Sequence, residues 1–572
     1  MAKPWLFCWL LSFLLLIVTA SNAASRIGND LVPIFVRAHL GGPIRLVAIG
    51  GSITQGGKGW IGPWLRAQFP KSAVAVQNAG MSATGSEWAN YRLERDVVAY
   101  QPNLVFIECA VNDGDKTDDA AIRNLESIIV RLKRLPDPPA IFFVEAAARK
   151  GGHIARHQRV AAHYGFLDIN LDQAAKAYLA QEKLDWKALF NDDVHLNEQG
   201  NAFYAKIIGE HLQPYVETAR TQAEKLAKQR HPTLPIEHPK LPKPISKQPL
   251  LLDAHLVTLW PQEGWKLDKP LPFWWSMFFQ NVVIPEKPGV AMTIPFRGTT
   301  VGLFYAMHED YGVCFASVDG GDPVEVQSSL RRGYYYTIFA QDLPAGEHVL
   351  TIAYPPQDYR PVHLGYLLVA GETQPVRTPP APAGPNTVDS LLHWEMRALP
   401  AQAWCWIGPF GDTTNPPTKY PTDNFATTSY PAEKALTGLT PDSITWNGST
   451  LRWQAVTGDT PWVDFAQLCG LKDRGINYAA TRIWAEKAGP RTVRLTVDYY
   501  AKLWLNGQLV KTIDTAHGGG RNPIMLSLDF RTGWNDLLIK VESGSQGNNL
   551  SLTMVGDNRG VKFANPLTQK EE

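Results

Sequence analysis

Arg45-Leu46-Val47-Ala48-Ile49-Gly50-Gly51-Ser52-Ile53-Thr54 is the stretch on which the fold turns. Arg45 to Ile49 is a short, unalternating apolar run that two glycines stop. Such a run is the habit of a strand buried on both faces, as in a parallel sheet. Three more follow: Ala73-Val-Ala-Val-Gln77, Asn103-Leu-Val-Phe-Ile107 and Ala140-Ile-Phe-Phe-Val144. Helical patterns, such as Ala121 to Leu135, separate them. The alternation predicts an α/β module over residues 25–215, with a parallel sheet covered by helices on both faces. The first three runs end in polar or glycine-rich segments: Gly50-Gly51-Ser52, Asn78-Ala79-Gly80 and Glu108 to Asp113. In a parallel sheet these ends share one edge, where α/β proteins place their sites.

Downstream the pattern changes. Glu217 to Arg230 reads as a charged helical tail, and His231 to Pro249 holds six prolines, so residues 216–249 are expected to form a helix and a semi-rigid linker. Residues 250–371 carry short strand-like runs: Val290 to Phe296, Thr300 to Tyr305, Val313 to Val318 and His348 to Tyr354. Asp319-Gly320-Gly321-Asp322 reads as a hairpin turn, and Pro344-Ala345-Gly346 as another. This predicts an antiparallel β-sandwich. A second proline-rich joint spans 372–386. Residues 387–560 form a third, Trp-rich β module, with strands at Arg491 to Tyr499, Lys502 to Leu505 and Leu537 to Val541, and a type I′ signal at Asn506-Gly507.

Upstream, Met1 to Ala23 reads as a secretory signal peptide, with Lys3, an apolar run from Trp5 to Val18 and small residues at Ser21-Asn22-Ala23. The run is short for a membrane span, so no stable membrane insertion is expected after cleavage. The predicted location is secreted, periplasmic or cell-surface.

The whole chain has 572 residues, with 55 Lys+Arg against 54 Asp+Glu. A balanced, 45% hydrophobic chain is neither a disordered polyampholyte nor a nucleic-acid binder. Loss of Lys3 leaves the charges equal, which suits a neutral partner. Four cysteines remain after the signal, too few for a disulfide framework, although Cys405 and Cys469 share a module and pairing between them stays open. Nine of the 19 Trp fall in the third module. An exposed Trp can stack on a sugar ring, whereas a buried one only fills core.

Ser52 follows the first strand directly, and its glycines permit a tight turn. Thr54 rules out the G-x-S-x-G elbow, and the glycine spacing rules out a dinucleotide loop. Taken alone, Gly-Gly-Ser is more often a turn than a nucleophile. Gly80 and Asn112 offer a backbone N–H and a side-chain amide which, with the Ser52 N–H, would make an oxyanion hole; read singly, they are a turn glycine and an Asx-turn. Asn191-Asp192-Asp193-Val194-His195-Leu196-Asn197 places an acid three residues before a histidine. An imidazole oriented by Asp192 could take a proton from Ser52, in the logic of a Ser-His-Asp triad. His153, His157 and His163 lie in a helical stretch with several arginines. Without an intervening Glu, they are no zincin motif, and a solvated or substrate-facing helix is expected. Glu108, Asp113 and Asp115 either order Asn112 or line the cleft.

The four segments together, in this order and spacing, resemble the SGNH (GDSL-like) hydrolase superfamily over about residues 40–215. The stretch Arg92 to Asp113 resembles a subgroup with Gly-Gly-Ser in the first block. The resemblance implies a flavodoxin-like three-layer domain with Ser52 as nucleophile and His195 as base. Asp192, rather than Asp193, would orient the base, and Ser52, Gly80 and Asn112 would donate to the oxyanion. Gly51 stands where the family has aspartate, and Ala110 where it has glycine. Trp404-Cys405-Trp406-Ile407-Gly408-Pro409-Phe410 and Gly533-Trp534-Asn535 resemble jelly-roll, galactose-binding-like accessory domains. The chemistry implied is ester hydrolysis through an acyl-enzyme, without cofactor or metal. Secretion and two appended β modules point to O-acetyl groups on a poly- or oligosaccharide. The alternatives are a lipase, lysophospholipase or thioesterase, and a non-catalytic glycan-binding surface protein.

Overall fold

The computed structural model describes residues 27–568, apart from 58–59, 230–239, 330, 357–359, 372–386, 412–420, 423–424, 427–429, 435–442, 447, 459, 471–474, 515–522 and 543–547. The signal-peptide reading of Met1 to Ala23 and the second proline-rich joint lie outside the described residues.

The first module is built on five parallel strands: β1 (Ile44–Gly50), β2 (Val74–Gly80), β3 (Leu104–Glu108), β4 (Ala140–Glu145) and β5 (Leu167–Asn170). Their order is β2-β1-β3-β4-β5, the doubly wound flavodoxin-like order. The order in which strands are added reverses between β1 and β3, the switch point at which a crevice opens at the carboxyl ends of such strands. The helices are α1 (Leu31–His39), α2 (Ser52–Gly57), α3 (Gly62–Gln68), α4 (Ser86–Asp96), α5 (Asp118–Lys133), α6 (Ile154–Tyr164), α7 (Leu171–Gln181) and α8 (Glu198–Leu226). Leu46, Phe106 and Phe142 pack into one apolar core, and Val47, Val105 and Phe143 into another, because successive strand residues face opposite sides. The expected tail from Glu217 is the last third of α8, a single 29-residue helix that runs on through Pro214.

The described part of the first linker is held against the first module. Glu126 on α5 accepts from the N–H groups of Ile245 and Ser246, at 2.7 and 2.8 Å, and Ser127 Oγ accepts from Leu251 N–H at 2.9 Å. The expected semi-rigid linker is, from residue 245 onward, a strap on α5.

Residues 255–370 form two antiparallel sheets face to face, of six and four strands. The strand Thr300–Met307 is buried at every position. Its Val301, Leu303, Tyr305 and Met307 fill the sandwich core. Phe304 and Ala306, on the other face, pack with Met81, Trp88 and Tyr91 of the first module. The two modules thus share an apolar cluster, with Trp88 stacked on Phe304 at 4.5 Å and on Tyr336 at 5.2 Å. The hairpin at Asp319 and Gly320 has φ of 51° and 70°, and that at Asn506 and Gly507 has 50° and 82°, as type I′ turns require.

The third module is a second pair of antiparallel sheets. Trp404 and Trp406 lie in the core between them, and Trp453 and Trp504 in a cluster on the outer face of one sheet. Most of the tryptophan that marked this module in the sequence is therefore buried or half-buried; Trp462 is the exposed one among its described residues. No disulfide joins Cys405 to Cys469. Both are free thiols, Cys405 Sγ facing Ala480 O at 3.6 Å and Cys469 Sγ facing Phe465 O at 2.9 Å.

Candidate active site

Ser52 is the first residue of α2, immediately past β1. At that position its N–H has no intrahelical acceptor. Its Oγ lies 2.8 Å from His195 Nε2, and His195 Nδ1 lies 2.7 Å from Asp192 Oδ2. Three residues separated by up to 143 positions thus form one hydrogen-bonded relay. Asp192 Oδ1 also accepts from the N–H groups of Val194 and His195, at 2.9 and 2.7 Å. Burial works to raise the Asp192 carboxyl, but these backbone donors and the imidazole outweigh it and hold it down at about 2. The His195 and Asp192 side chains are 46% and 55% exposed, so the relay stands open to large substrates. Asp193 turns away and pairs with Arg149 at 3.7 Å.

The loop bearing His195 is fixed from several sides. Asn191 N–H donates to His195 O at 2.7 Å, and Trp186 Nε1 to Asp192 O at 2.8 Å. Asn197 caps α8 by accepting from Gly200 N–H at 2.9 Å. A short, locally closed loop therefore presents the imidazole to β1.

Gly51 explains its own departure from aspartate. A Cβ there would stand 2.0 Å from Asn112 Oδ1 and 3.3 Å from Thr84 O. Asn112 is thus lodged over the turn that carries Ser52. Its Oδ1 is buried and has no hydrogen-bond partner among the described residues.

Gly80 differs from expectation. Its N–H donates to Asn78 Oδ1 at 2.8 Å and is not open to a substrate. Asn78 in turn donates to Thr54 O and Gln55 O, at 3.0 and 2.9 Å. A Cβ on Gly80 would meet Gln55 N at 2.2 Å, so this glycine lets α2 abut the end of β2. The exposed residue of the same segment is Ala83, at φ 57°, whose N–H has no acceptor among the described residues. A left-handed alanine carries no glycine signal in the sequence.

Beneath the relay, buried groups fix the strand ends. Arg92 donates to Ala79 O at 2.6 Å and Gly50 O at 3.1 Å, tying β2 to β1. Thr54 Oγ1 donates to Glu108 at 2.9 Å. Burial pushes the Glu108 carboxyl up to about 7, against the donors of Thr54 and the Gly51 N–H. Asp113 accepts from Ser86 N–H at 2.8 Å and faces His157 Nε2 at 3.1 Å. His157 is fully buried, so the expected solvated helix face does not hold there. Asp115 is exposed beside Lys116, at 3.5 Å. His153 sits near Gly114, and His163 faces Lys243 O at 2.8 Å. No group of three or more metal-ligating side chains occurs among the described residues.

The first module is thus a doubly wound parallel α/β domain with a hydrogen-bonded Ser-His-Asp relay at the end of its first strand. Residues 48–203 match the model of the GDSL-like Lipase/Acylhydrolase family, and this part of the chain is a GDSL-like domain. Among solved structures, the chain is similar to a two-domain esterase (CEX) active on acetylated mannans, crystallised alone and with mannopentaose. The identity is 19%, the TM-score 0.51, and 61% of this chain is covered, with 96% of the esterase in the mannopentaose crystal and 98% in the other. Axe2, an acetylxylan esterase from Geobacillus stearothermophilus, is 20% identical over 30% of this chain and 94% of its own, with a TM-score of 0.24. No curated protein sequence matches the chain. No described helix is long and apolar enough to cross a membrane.

Proposed function

We propose that the protein is a secreted serine esterase that removes O-acetyl groups from a poly- or oligosaccharide. The observation that carries this reading is the open Ser52-His195-Asp192 relay, with contacts of 2.8 and 2.7 Å. His195 Nε2 takes the Ser52 proton as Oγ attacks the acetyl carbonyl. Asp192 holds Nδ1–H and stabilises the imidazolium that forms. The Ser52 N–H and the Asn112 side-chain amide receive the oxyanion, with the Ala83 N–H in the place expected of Gly80. His195 then protonates the departing sugar oxygen, which leaves as the free hydroxyl. Water, deprotonated by the same imidazole, cleaves the acetyl-serine and releases acetate.

A polysaccharide needs a site that tolerates chain on both sides of the ester, and the exposure of His195 and Asp192 supports this. The similarity to a two-domain esterase active on acetylated mannans supports the same substrate class. Secretion rests on the reading of Met1 to Ala23.

The test is acetate release from a panel of acetylated mannans and xylans, by wild type and Ser52→Ala. Wild type should release acetate and Ser52→Ala should not. A preference for octanoyl over acetyl p-nitrophenyl esters would replace the acetylesterase reading with a lipase one. Glycan binding without turnover would support the non-catalytic reading.

A further inference from the structure

The edge strand Gly333–Ala340 of the second module puts Tyr334 and Tyr336 on one face, because strand side chains alternate. That face lies on the first module. Tyr334 donates its hydroxyl to Ser82 O at 2.7 Å. Tyr336 donates to Glu87 Oε2 at 3.0 Å, and Lys116 Nζ reaches the same oxygen at 3.2 Å.

Each contact leads, through further hydrogen bonds, to a segment that packs against the turn of Ser52. Ser82 lies in the turn that contains Ala83, and its N–H and hydroxyl both donate to Gln55 Oε1 on α2, at 2.9 and 2.7 Å. Lys116 directly follows the short helix Asn112–Asp115, and its N–H donates to Asp113 O at 2.9 Å. Both segments close on Gly51, through Thr84 O and Asn112 Oδ1. One tyrosine therefore grips the turn on the β2 side of Ser52, and the other, through Glu87 and Lys116, grips the loop on the β3 side. Burial pushes both phenols well above their ordinary range, so they remain donors throughout the working pH range. Trp88, stacked between Phe304 and Tyr336, fixes the depth at which the strand sits.

We propose that Tyr334 and Tyr336 are positioning residues of the hydrolase site, so that the second module completes the oxyanion-binding loops of the first. The inference rests on Ser52 being the nucleophile. It assigns the second module a part in the reaction that needs no sugar contact. A donor held out of place loses interactions made only in the transition state, which lowers kcat and spares KM.

The experiment compares the full chain with Tyr334→Phe, Tyr336→Phe, the double variant, Tyr335→Phe and Ser52→Ala, on p-nitrophenyl acetate, with thermal unfolding measured alongside. Tyr335 lies on the opposite face of the strand and is half exposed. Each of the first two variants should lower kcat by about tenfold, the loss expected for one hydrogen bond, with KM changed by less than about twofold. The double variant should lose more than either, and Tyr335→Phe should match wild type. Wild-type kcat in both single variants and the double, with Ser52→Ala inactive, overturns the inference alone. So does a lowered unfolding temperature with kcat unchanged, which would make the tyrosines merely structural. Activity in Ser52→Ala overturns the nucleophile reading, and the inference with it.

Discussion

Gly51→Ala adds one methyl group, and beyond the chain neighbours its nearest contacts are Asn112 and Thr84, not His195 or Asp192. Gly51 is not in the left-handed region, so alanine brings no backbone strain. The new Cβ stands 2.0 Å from Asn112 Oδ1, whereas ordinary contact begins at 3.4 Å. Asn112 must therefore retreat by about 1.4 Å, far more than the few tenths of an ångström over which an oxyanion donor stays effective. Losing one such donor costs about 2.7–4 kcal/mol in the transition state, or about 10²–10³-fold in kcat. KM should change little, because the retreating amide serves the oxyanion rather than the ground-state carbonyl. The assay is steady-state hydrolysis of p-nitrophenyl acetate by wild type, Gly51→Ala, Asn112→Ala and the double variant. With the amide removed, the methyl loses its closest clash, so the double variant should equal Asn112→Ala. Gly51→Ala with kcat within about threefold of wild type would refute this chain of reasoning. So would a double variant whose loss is the product of the two single losses.

Asp192→Asn should keep the fold of its loop but present an N–H to His195 Nδ1, favouring the wrong tautomer; kcat should fall by about 10²–10⁴-fold, and a loss below about tenfold would remove Asp192 from the relay. Glu108 holds its proton more tightly in the fold than in the unfolded chain, its carboxyl being raised from 4.5 to about 7. Its contribution is fully present below about pH 4.5 and is lost as pH rises through about 7, a difference of about 3 kcal/mol. Urea unfolding between pH 5 and 8 should therefore show a shallower pH slope for Glu108→Gln than for wild type, and parallel slopes would contradict the assignment. Trp88→Ala opens the cluster shared by the first two modules and should cost about 3–5 kcal/mol in chemical denaturation, with a cost under about 1 kcal/mol arguing that the cluster does not bind the modules.

Much of the first module was legible because the signals are local. Four of its five strands announce themselves as apolar runs, and only the short β5 gave no such run. The four functional segments were legible from their order along the chain. In the second module, Val290–Arg297 and Glu347–Tyr354 were readable, whereas Gly333–Ala340 and His363–Ala370 were not. Those last strands are aromatic or buried on both faces, because one side of the sheet packs on α4 instead of facing water. That removes the alternation by which an antiparallel strand is recognised.

The sequence by itself determined the module order, the doubly wound class of the first module and the candidacy of Ser52, Asp192, His195 and Asn112. It did so because strand period, turn residues and the Asp-x-x-His spacing act over a few positions. Only the tertiary structure decided that the Gly80 N–H is already taken by Asn78, that Gly51 must lack a side chain because Asn112 fills its space, and that His157 is buried against Asp113. It also decided that Trp404, Trp406, Trp453 and Trp504 of the third module are buried, and that a tyrosine 252 positions from Ser82 reaches the turn that bonds to the helix of Ser52. These are contacts between segments far apart in the chain. Their distances follow from how whole sheets and helices pack, and no local pattern of residues encodes them.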